Sequence, residues 1–346
     1  MRPPSSRPTV RDVAKAAGVS LATVDRVLNG RIGVRPATQS KVLAAMEKLS
    51  FERDIAAANL SKRREYRITF ILPEGENSFM RGLEAGIEAL RRSYERERVR
   101  LQVLTVPAFD GITLAALLDG LGPDEVDGVA VVATDAPVAG QAISGLMQKG
   151  VHVVTIVSDL PSSPREHFVG IDNVVAGRTA AGLLGRFCSG RRGSIAVIAG
   201  SMVLRDHVER RLGFDQVMRA DYPDFVLLPT IEGADDSEQV ELLLSDLLRR
   251  HDDIVGIYSL GAGNRGVARA VRKAGLSDRP YIVVHDLTKH ARAELQSGLF
   301  DAVINQDIGL EIHSAVRVLT SLIDERPIIA ERERIRVDIF TRDNLP

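Results

Sequence analysis

Residues Thr9–Asn29, TVRDVAKAAGVSLATVDRVLN, spell two short helices joined by a tight turn. Thr9 and Asp12 have the spacing of a capping box, with Asp in place of the usual Glu or Gln. Val10, Val13, Ala14 and Ala17 then recur at helical spacing and form one apolar face. Gly18-Val19-Ser20 ends that helix: Gly18 suits a left-handed cap, and Ser20 can cap the helix that follows. In Leu21–Asn29 the apolar Val24, Val27 and Leu28 are expected inside. Leu21, Ala22, Asp25, Arg26 and Asn29 are left outside. Such a pair reads as a helix-turn-helix, whose second helix enters the DNA major groove. An ordinary helical hairpin in a globular core is the bland alternative, and the segment that follows favours the DNA reader.

The chain has 346 residues, enough for two or three domains. A hydrophobic content of 45% supports real cores, and no apolar run approaches the length of a membrane span. The opening MRPPSSRP has no apolar h-region, so no secretory signal is expected. The single cysteine, Cys188, excludes an intramolecular disulfide and suits a reducing, cytoplasmic setting. No His or Cys cluster has metal-ligand spacing, so neither metal nor cofactor is expected. Charge is unevenly spread. Residues 1–66 carry 13 Lys and Arg against 6 Asp and Glu, a net of +7, while the remainder carries 32 against 40, a net of −8. A basic head on an acidic body fits a phosphate-binding module attached to a sensor of a neutral ligand.

Outward from the first stretch, residues 1–7 read as a flexible tail and 8–52 as the helix-turn-helix domain. Gly30–Val34 is a loop. Pro36 suits the first position of a third helix running to about Leu49, whose Val42, Leu43, Met46 and Leu49 are expected to close a three-helix core. Thr38, Gln39 and Lys41 lie near its start, where side chains and the helix dipole can meet phosphate. Residues 53–66 are a hinge or linker; its Ala-rich, basic RDIAAANLSKRR can become helical.

With TVRDVAKAAGVSLATVDRVLNG, a third helix and an Ala-rich segment ending in Leu, the head resembles the lactose-repressor family of bacterial transcription regulators. The resemblance implies that Leu21, Ala22 and Arg26 face base edges and that Thr9 and Asn29 face phosphates. It implies that residues 54–60 fold as a hinge helix on DNA, with Leu60 wedged into the minor groove, a kink that costs a few kcal/mol. Asp25 stands where the family usually has Ser. Two readings stay open: it accepts from a cytosine amine, or it pairs with a nearby Arg. Arg53 and Ala58 replace the Pro and Arg common in the hinge, and Arg35 replaces a capping Ser.

From residue 67 the pattern changes to buried strands alternating with helices. Strands are expected at Ile68–Leu72, Leu101–Val106, Gly128–Val132, Val151–Val157, Ile195–Ala199, Phe225–Leu228, Val255–Tyr258, Tyr281–Val284 and Ala302–Ile304. Repeated βαβ spacing predicts parallel sheets. The fold class is therefore an all-α head plus an α/β body of two doubly wound parallel-sheet lobes. The body, 67–346, resembles the type I periplasmic sugar-binding fold. That resemblance places residues 67–165 and 305–325 in the first lobe, and 166–304 and 330–346 in the second.

Ligands of such sheets bind at the carboxyl ends of strands. Asn77 and Phe79 follow the first strand and resemble the Asn-x-aromatic of the sugar binders, an amide for hydroxyls and a ring for a sugar face. Thr134-Asp135 ends the third strand and Ser158-Asp159 the fourth; Ser259 ends a later one. Arg210 in ERRLGF matches the family's bidentate arginine. Asp286, ending YIVVHD, matches the carboxylate that grips hydroxyls, and Gln306 opens the last lobe crossing. Each has a dull alternative, since Asn and Asp at strand ends commonly form turns or cap helices, and Arg210 could form a surface ion pair. Asp172-Asn173 reads as the cap of a helix Val174–Phe187 rather than a ligand contact.

Two rivals need weighing. Gly261–Gly266, GAGNRG, matches the dinucleotide-binding fingerprint, with Asp286 the right distance on. It lies late in the second lobe, however, and no catalytic constellation accompanies it, so an NAD-dependent oxidoreductase is disfavoured. A transport solute-binding protein is disfavoured by the head and the missing signal. The expectation is a cytoplasmic regulator, a repressor and not an enzyme. It would bind a near-palindromic duplex as a homodimer, with a tetramer possible, and respond to a sugar-like or polyol effector.

Overall fold

The computed structural model describes residues 10–28, 34–49 and 64–346. Contacts divide the chain into two units, Met1–Arg64 and Glu65–Pro346.

In the first unit, helices α1 (Val10–Ala17), α2 (Leu21–Leu28) and α3 (Pro36–Lys48) surround a small core. The turn between α1 and α2 follows from its residues. Gly18 takes φ +65°, its N–H donates to the Lys15 carbonyl, and the N–H of Val19 donates to that of Ala14. This is a Schellman cap, which favours glycine at the left-handed position. Ser20 Oγ then accepts from the N–H of Thr23 at 3.2 Å and caps α2. Val13, Ala14, Val24, Val42 and Ala45 are buried, with Ala17, Val19, Val27, Met46 and Leu49 packed around them. Leu43 was expected inside but is half exposed. The inward stripe runs 42, 45, 46, 49, and Leu43 lies about 100° off it, so Ala45 takes that place. Thr9, Asn29, Leu60 and the hinge at 54–60 lie outside the described residues, as does the side chain of Asp25.

The second unit holds two sheets. Strands β1 (Tyr66–Glu74), β2 (Val99–Pro107), β3 (Gly128–Val131), β4 (His152–Ile156) and β5 (His167–Val169) form the first. Its order is β2-β1-β3-β4-β5, parallel throughout. Helices α4 (Ser78–Arg96), α5 (Gly111–Gly120) and α6 (Pro137–Gln148) connect these strands. After α7 (Asn173–Phe187) the pattern recurs with β6 (Gly193–Ala199), α8 (Arg205–Asp221), β7 (Phe225–Leu227), β8 (Ile231–Glu232), α9 (Ser237–Arg250), β9 (Ile254–Ser259), α10 (Asn264–Ala274), β10 (Tyr281–His285), α11 (Lys289–Gln296) and β11 (Ala302–Asn305). Helices α12 (Ile308–Ile323) and α13 (Ala330–Glu333) and strand β12 (Asp338–Phe340) complete the chain. The second sheet runs β12-β11-β10-β9-β6-β7, with β8 also on β6. Only β12, against β11, is antiparallel among its described pairs.

Helices cover both faces of each sheet, so the central strands are apolar throughout; β3, for example, is buried at every residue. Helix α12 leaves the second sheet and packs against the first, burying Ile312, Ala315 and Leu319 in the core shared with Phe70 and Val154. The short strands β5 and β8 have too few residues to show a period and were not expected. The fourth strand stops at Ile156, one residue short of the expected end, because Val157 turns left-handed at φ +64°.

Candidate functional site

On the first unit, α2 presents Leu21, Ala22 and Arg26 as exposed residues, with Ser20 exposed just before it. Leu21 is 47% exposed, an apolar side chain set outside a core that Val24 fills. Thr38, in the first turn of α3, is half-buried. The buried face of α2 thus leaves one ridge free to enter a groove, with Arg26 as its hydrogen-bond donor.

On the second unit, the carboxyl ends of both sheets face a cavity of about 160 Å³. That suits a monosaccharide-sized molecule. Asn77, Phe79, Thr134 and Ser158 line it from the first lobe, and Arg210, Asp286 and Gln306 from the second. The remaining predicted positions lie elsewhere. Asp159 is turned into its own loop, where it accepts from Arg165 Nη2 at 2.6 Å and Thr155 Oγ1 at 2.6 Å. Burial raises its proton affinity, but those partners outweigh it and hold the carboxyl below its ordinary value. Ser259 is buried in the second sheet. Asp135 contributes a backbone N–H to the Val203 carbonyl across the lobes, at 3.4 Å.

Arg210 is almost wholly buried, and its position follows from two glycines. A Cβ on Gly177 of α7 would sit 1.9 Å from the Arg210 carbonyl oxygen, and one on Gly213 of α8 would sit 2.1 Å from that of Val174. The two helices therefore approach backbone to backbone. This brings Asn173 to Arg210, whose Nε donates to Asn173 Oδ1 at 2.8 Å and whose Nη1 donates to the Leu260 carbonyl at 2.8 Å. Asp172 caps α7 through the N–H of Val175, so its side chain serves the helix end.

Asp286 follows β10 with φ +67°, a conformation sparsely populated outside glycine and concentrated at functional sites. Gln306 Nε2 donates to its Oδ1 at 3.2 Å. Burial pushes the Asp286 carboxyl up to about 6, against the opposing pull of Arg210 and of that hydrogen bond. Behind it, Tyr258 and His285 share a 2.9 Å hydrogen bond, and burial drives the His285 imidazole well below its usual range. Several buried polar atoms facing this region have no hydrogen-bond partner in the protein: Ser158 Oγ, Asp206 Oδ1, Arg210 Nη2 and Gln306 Oε1. Buried polar groups are normally satisfied, so these atoms mark where a polar ligand would bind.

Three lining residues were not read from the sequence. Asp206 and His207 open α8, and Asp206 precedes Arg210 by one helical turn, a spacing that would have revealed it. Asp235 follows the short β8. Its Oδ2 accepts from Asn77 Nδ2 across the lobes at 2.9 Å, and its Oδ1 accepts from the N–H of Ala262 at 3.0 Å. Asn77 also caps α4 through the N–H groups of Phe79 and Met80, so most of its capacity is used by the protein. In GAGNRG, Gly266 lets α10 approach the backbone of α9, a packing role needing no nucleotide.

The profile described as "Bacterial regulatory proteins, lacI family" matches residues 9–54, and that described as "Periplasmic binding protein domain" matches residues 68–327. Catabolite control protein A of Priestia megaterium is 38% identical over 87 residues, 25% of this chain and 26% of that protein. The regulator DegA of Bacillus subtilis is 29% identical over 213 residues, 61% of this chain and 60% of that protein. The chain thus spans from about a quarter to under two thirds of the length of these relatives. A glucose-galactose binding protein from Geobacillus stearothermophilus shares the fold of the body, with a TM-score of 0.72 at 22% identity over 82% of this chain and 99% of that one. Among the described residues, no helix is long and apolar enough to cross a membrane.

Proposed function

The chain belongs to the lacI family of bacterial regulatory proteins, with a periplasmic binding protein domain as its body, and on that premise we propose that it is a cytoplasmic transcriptional repressor released from DNA by a small sugar-like or polyol effector. The observation that carries the effector half is the convergence of Ser158 Oγ, Asp206 Oδ1, Arg210 Nη2 and Gln306 Oε1, buried and without hydrogen-bond partners, on one cavity between two lobes. The exposed ridge of α2 supports the DNA half.

In this reading Leu21, Ala22 and Arg26 meet base edges, while Thr9, Ser20, Asn29 and Thr38 meet phosphates. Asp25 either accepts from a cytosine amine or pairs with a nearby Arg, and Leu60 wedges into the minor groove. One such helix per chain requires a homodimer on a near-palindrome. The effector acts by population shift: it binds one arrangement of the lobes more tightly than the other, and only that difference can reach the DNA. Enrichment of random duplexes on the full-length protein tests the reading. The expected result is a near-palindromic site whose discrimination is abolished in Arg26→Ala, with effector binding intact; unchanged sequence preference would remove α2 from the recognition role.

A further inference from the structure

The cleft carries more buried negative charge than positive. Asp206 and Asp286 are both more than nine-tenths buried and both line the cavity. One equally buried guanidinium faces them. Arg210 has already committed Nε and Nη1 to the neutral oxygens of Asn173 and Leu260. Its remaining Nη2 has no hydrogen bond and stands 3.7 Å from Asp206 Oδ2. His207 Nε2 is equally far from that oxygen, at 3.7 Å, and its Nδ1 is held by the Ser201 backbone. Asp206 Oδ1 has no partner. Asp235 adds a third carboxylate at the same cavity, its oxygens occupied by Asn77 and Ala262. Glu74 and Glu76 extend the negative character to the exposed rim.

Other cations near the cleft do not correct the balance inside: Arg205 and Arg211 on α8 pair with Glu209 and Asp215. Arg81, Arg265 and Lys289 line a separate hollow on the far side of Phe79 and Asp286. All three are exposed, where water screens them. A desolvated carboxylate without a counter-charge is costly. A neutral hydroxyl would fill the empty lone pair of Asp206 and leave the charge uncompensated. An ammonium group supplies both the donors and the charge.

We propose that the effector carries a protonated amine as well as hydroxyls, the ammonium lying against Asp206 and Asp286 and an oxygen acceptor meeting Arg210 Nη2. This rests on the reading of the cleft as the site of a hydroxylated effector. Asp206 is then the group that separates an amino-bearing ligand from its neutral counterpart.

Calorimetric titration of the full chain near neutral pH with matched pairs tests this: D-glucosamine against D-glucose, D-galactosamine against D-galactose, and 1-amino-1-deoxy-D-sorbitol against D-sorbitol. The expected result is an amino member that binds at least about tenfold more tightly than its partner, a ratio that Asp206→Asn brings close to one. Neutral members binding as tightly or more tightly would overturn the amine while leaving the cleft reading in place. No binding by any member would overturn both. A ratio that survives Asp206→Asn would overturn the role of Asp206. If that variant does not fold, the wild-type ratio carries the test alone.

Discussion

The two lobes of the body share one strand order and differ in what they offer the cavity. In the first sheet the order around the cleft is β2-β1-β3-β4-β5, and in the second β7-β6-β9-β10-β11. Both open their crevice beside the strand where the order reverses, the place where such sheets bind ligands. The likeness extends to the backbone: the residue after the fourth strand is left-handed in each lobe, Val157 at φ +64° and Asp286 at φ +67°. The side chains then diverge. The first lobe lines the cavity with Val106, Phe109, Val132, Val157 and Phe79, and the second with Asp206, Arg210, Asp286 and Gln306. One backbone thus serves two roles. The second lobe holds the buried charges, and the first supplies most of the apolar cover beside its neutral Asn77, Thr134 and Ser158.

The largest expected effect breaks the gripping lobe. Arg210→Ala leaves buried carboxylates without their guanidinium, and breaking a buried charge partnership costs about 3–5 kcal/mol. Urea unfolding should show a loss of that order together with loss of effector response. A change under about 1 kcal/mol would mean that Arg210 does not balance the second lobe.

Next comes the pH dependence carried by the Asp286 carboxyl of the second lobe. The Asp286 carboxyl is pushed up to about 6 in the folded protein by burial, above its ordinary value, so the folded state holds a proton that the unfolded chain releases first. Stability contributed by this group is therefore fully present at low pH and is lost as pH rises from about 4 to 6, by on the order of 2–3 kcal/mol. Subtracting the curve of Asp286→Asn from that of the wild type separates this term from those of other acids, such as Asp159 with its Arg165 partner, which slopes the opposite way. A flat difference curve would place Asp286 in water.

Asp286→Ala should weaken effector binding by about tenfold or more, about 1.4 kcal/mol, with DNA binding retained. Undiminished response would remove it from the cavity. The smallest effect belongs to the covering lobe. Phe79→Leu keeps apolar area but loses the ring face, so affinity should fall only about two- to threefold, about 0.5 kcal/mol. A loss larger than that of Asp286→Ala would invert the comparison.

The fold was legible because buried parallel strands announce themselves as apolar runs, and βαβ spacing leaves few topologies. The helix-turn-helix was legible residue by residue, since Gly18 and Ser20 each have one conformational task. Leu43 was misplaced because an apolar residue next to the inward stripe reads like part of it. In the cleft, Arg210 and Asp286 stood out through the motifs around them. Ser158 and Asp159 show the limit: neighbouring residues at a strand end point opposite ways, and only Ser158 reaches the cavity. Asp206 could have been found from its place one helical turn before Arg210, whereas the close approach of α7 and α8 that sets Arg210, through Gly177 and Gly213, is a long-range fact. The Asn77–Asp235 contact joins residues far apart in sequence, and no local pattern predicts it.

The most direct test is fluorescence anisotropy of the full-length protein on its selected duplex, with excess random competitor, titrated with a cleft ligand. Wild type should hold the duplex against competitor and release it as ligand is added, while Asp286→Ala holds it and releases it only at about tenfold or more higher ligand concentration. Equal affinity for random duplex, or release that proceeds alike in wild type and Asp286→Ala, would contradict the claim that a ligand between these lobes governs a DNA-reading head.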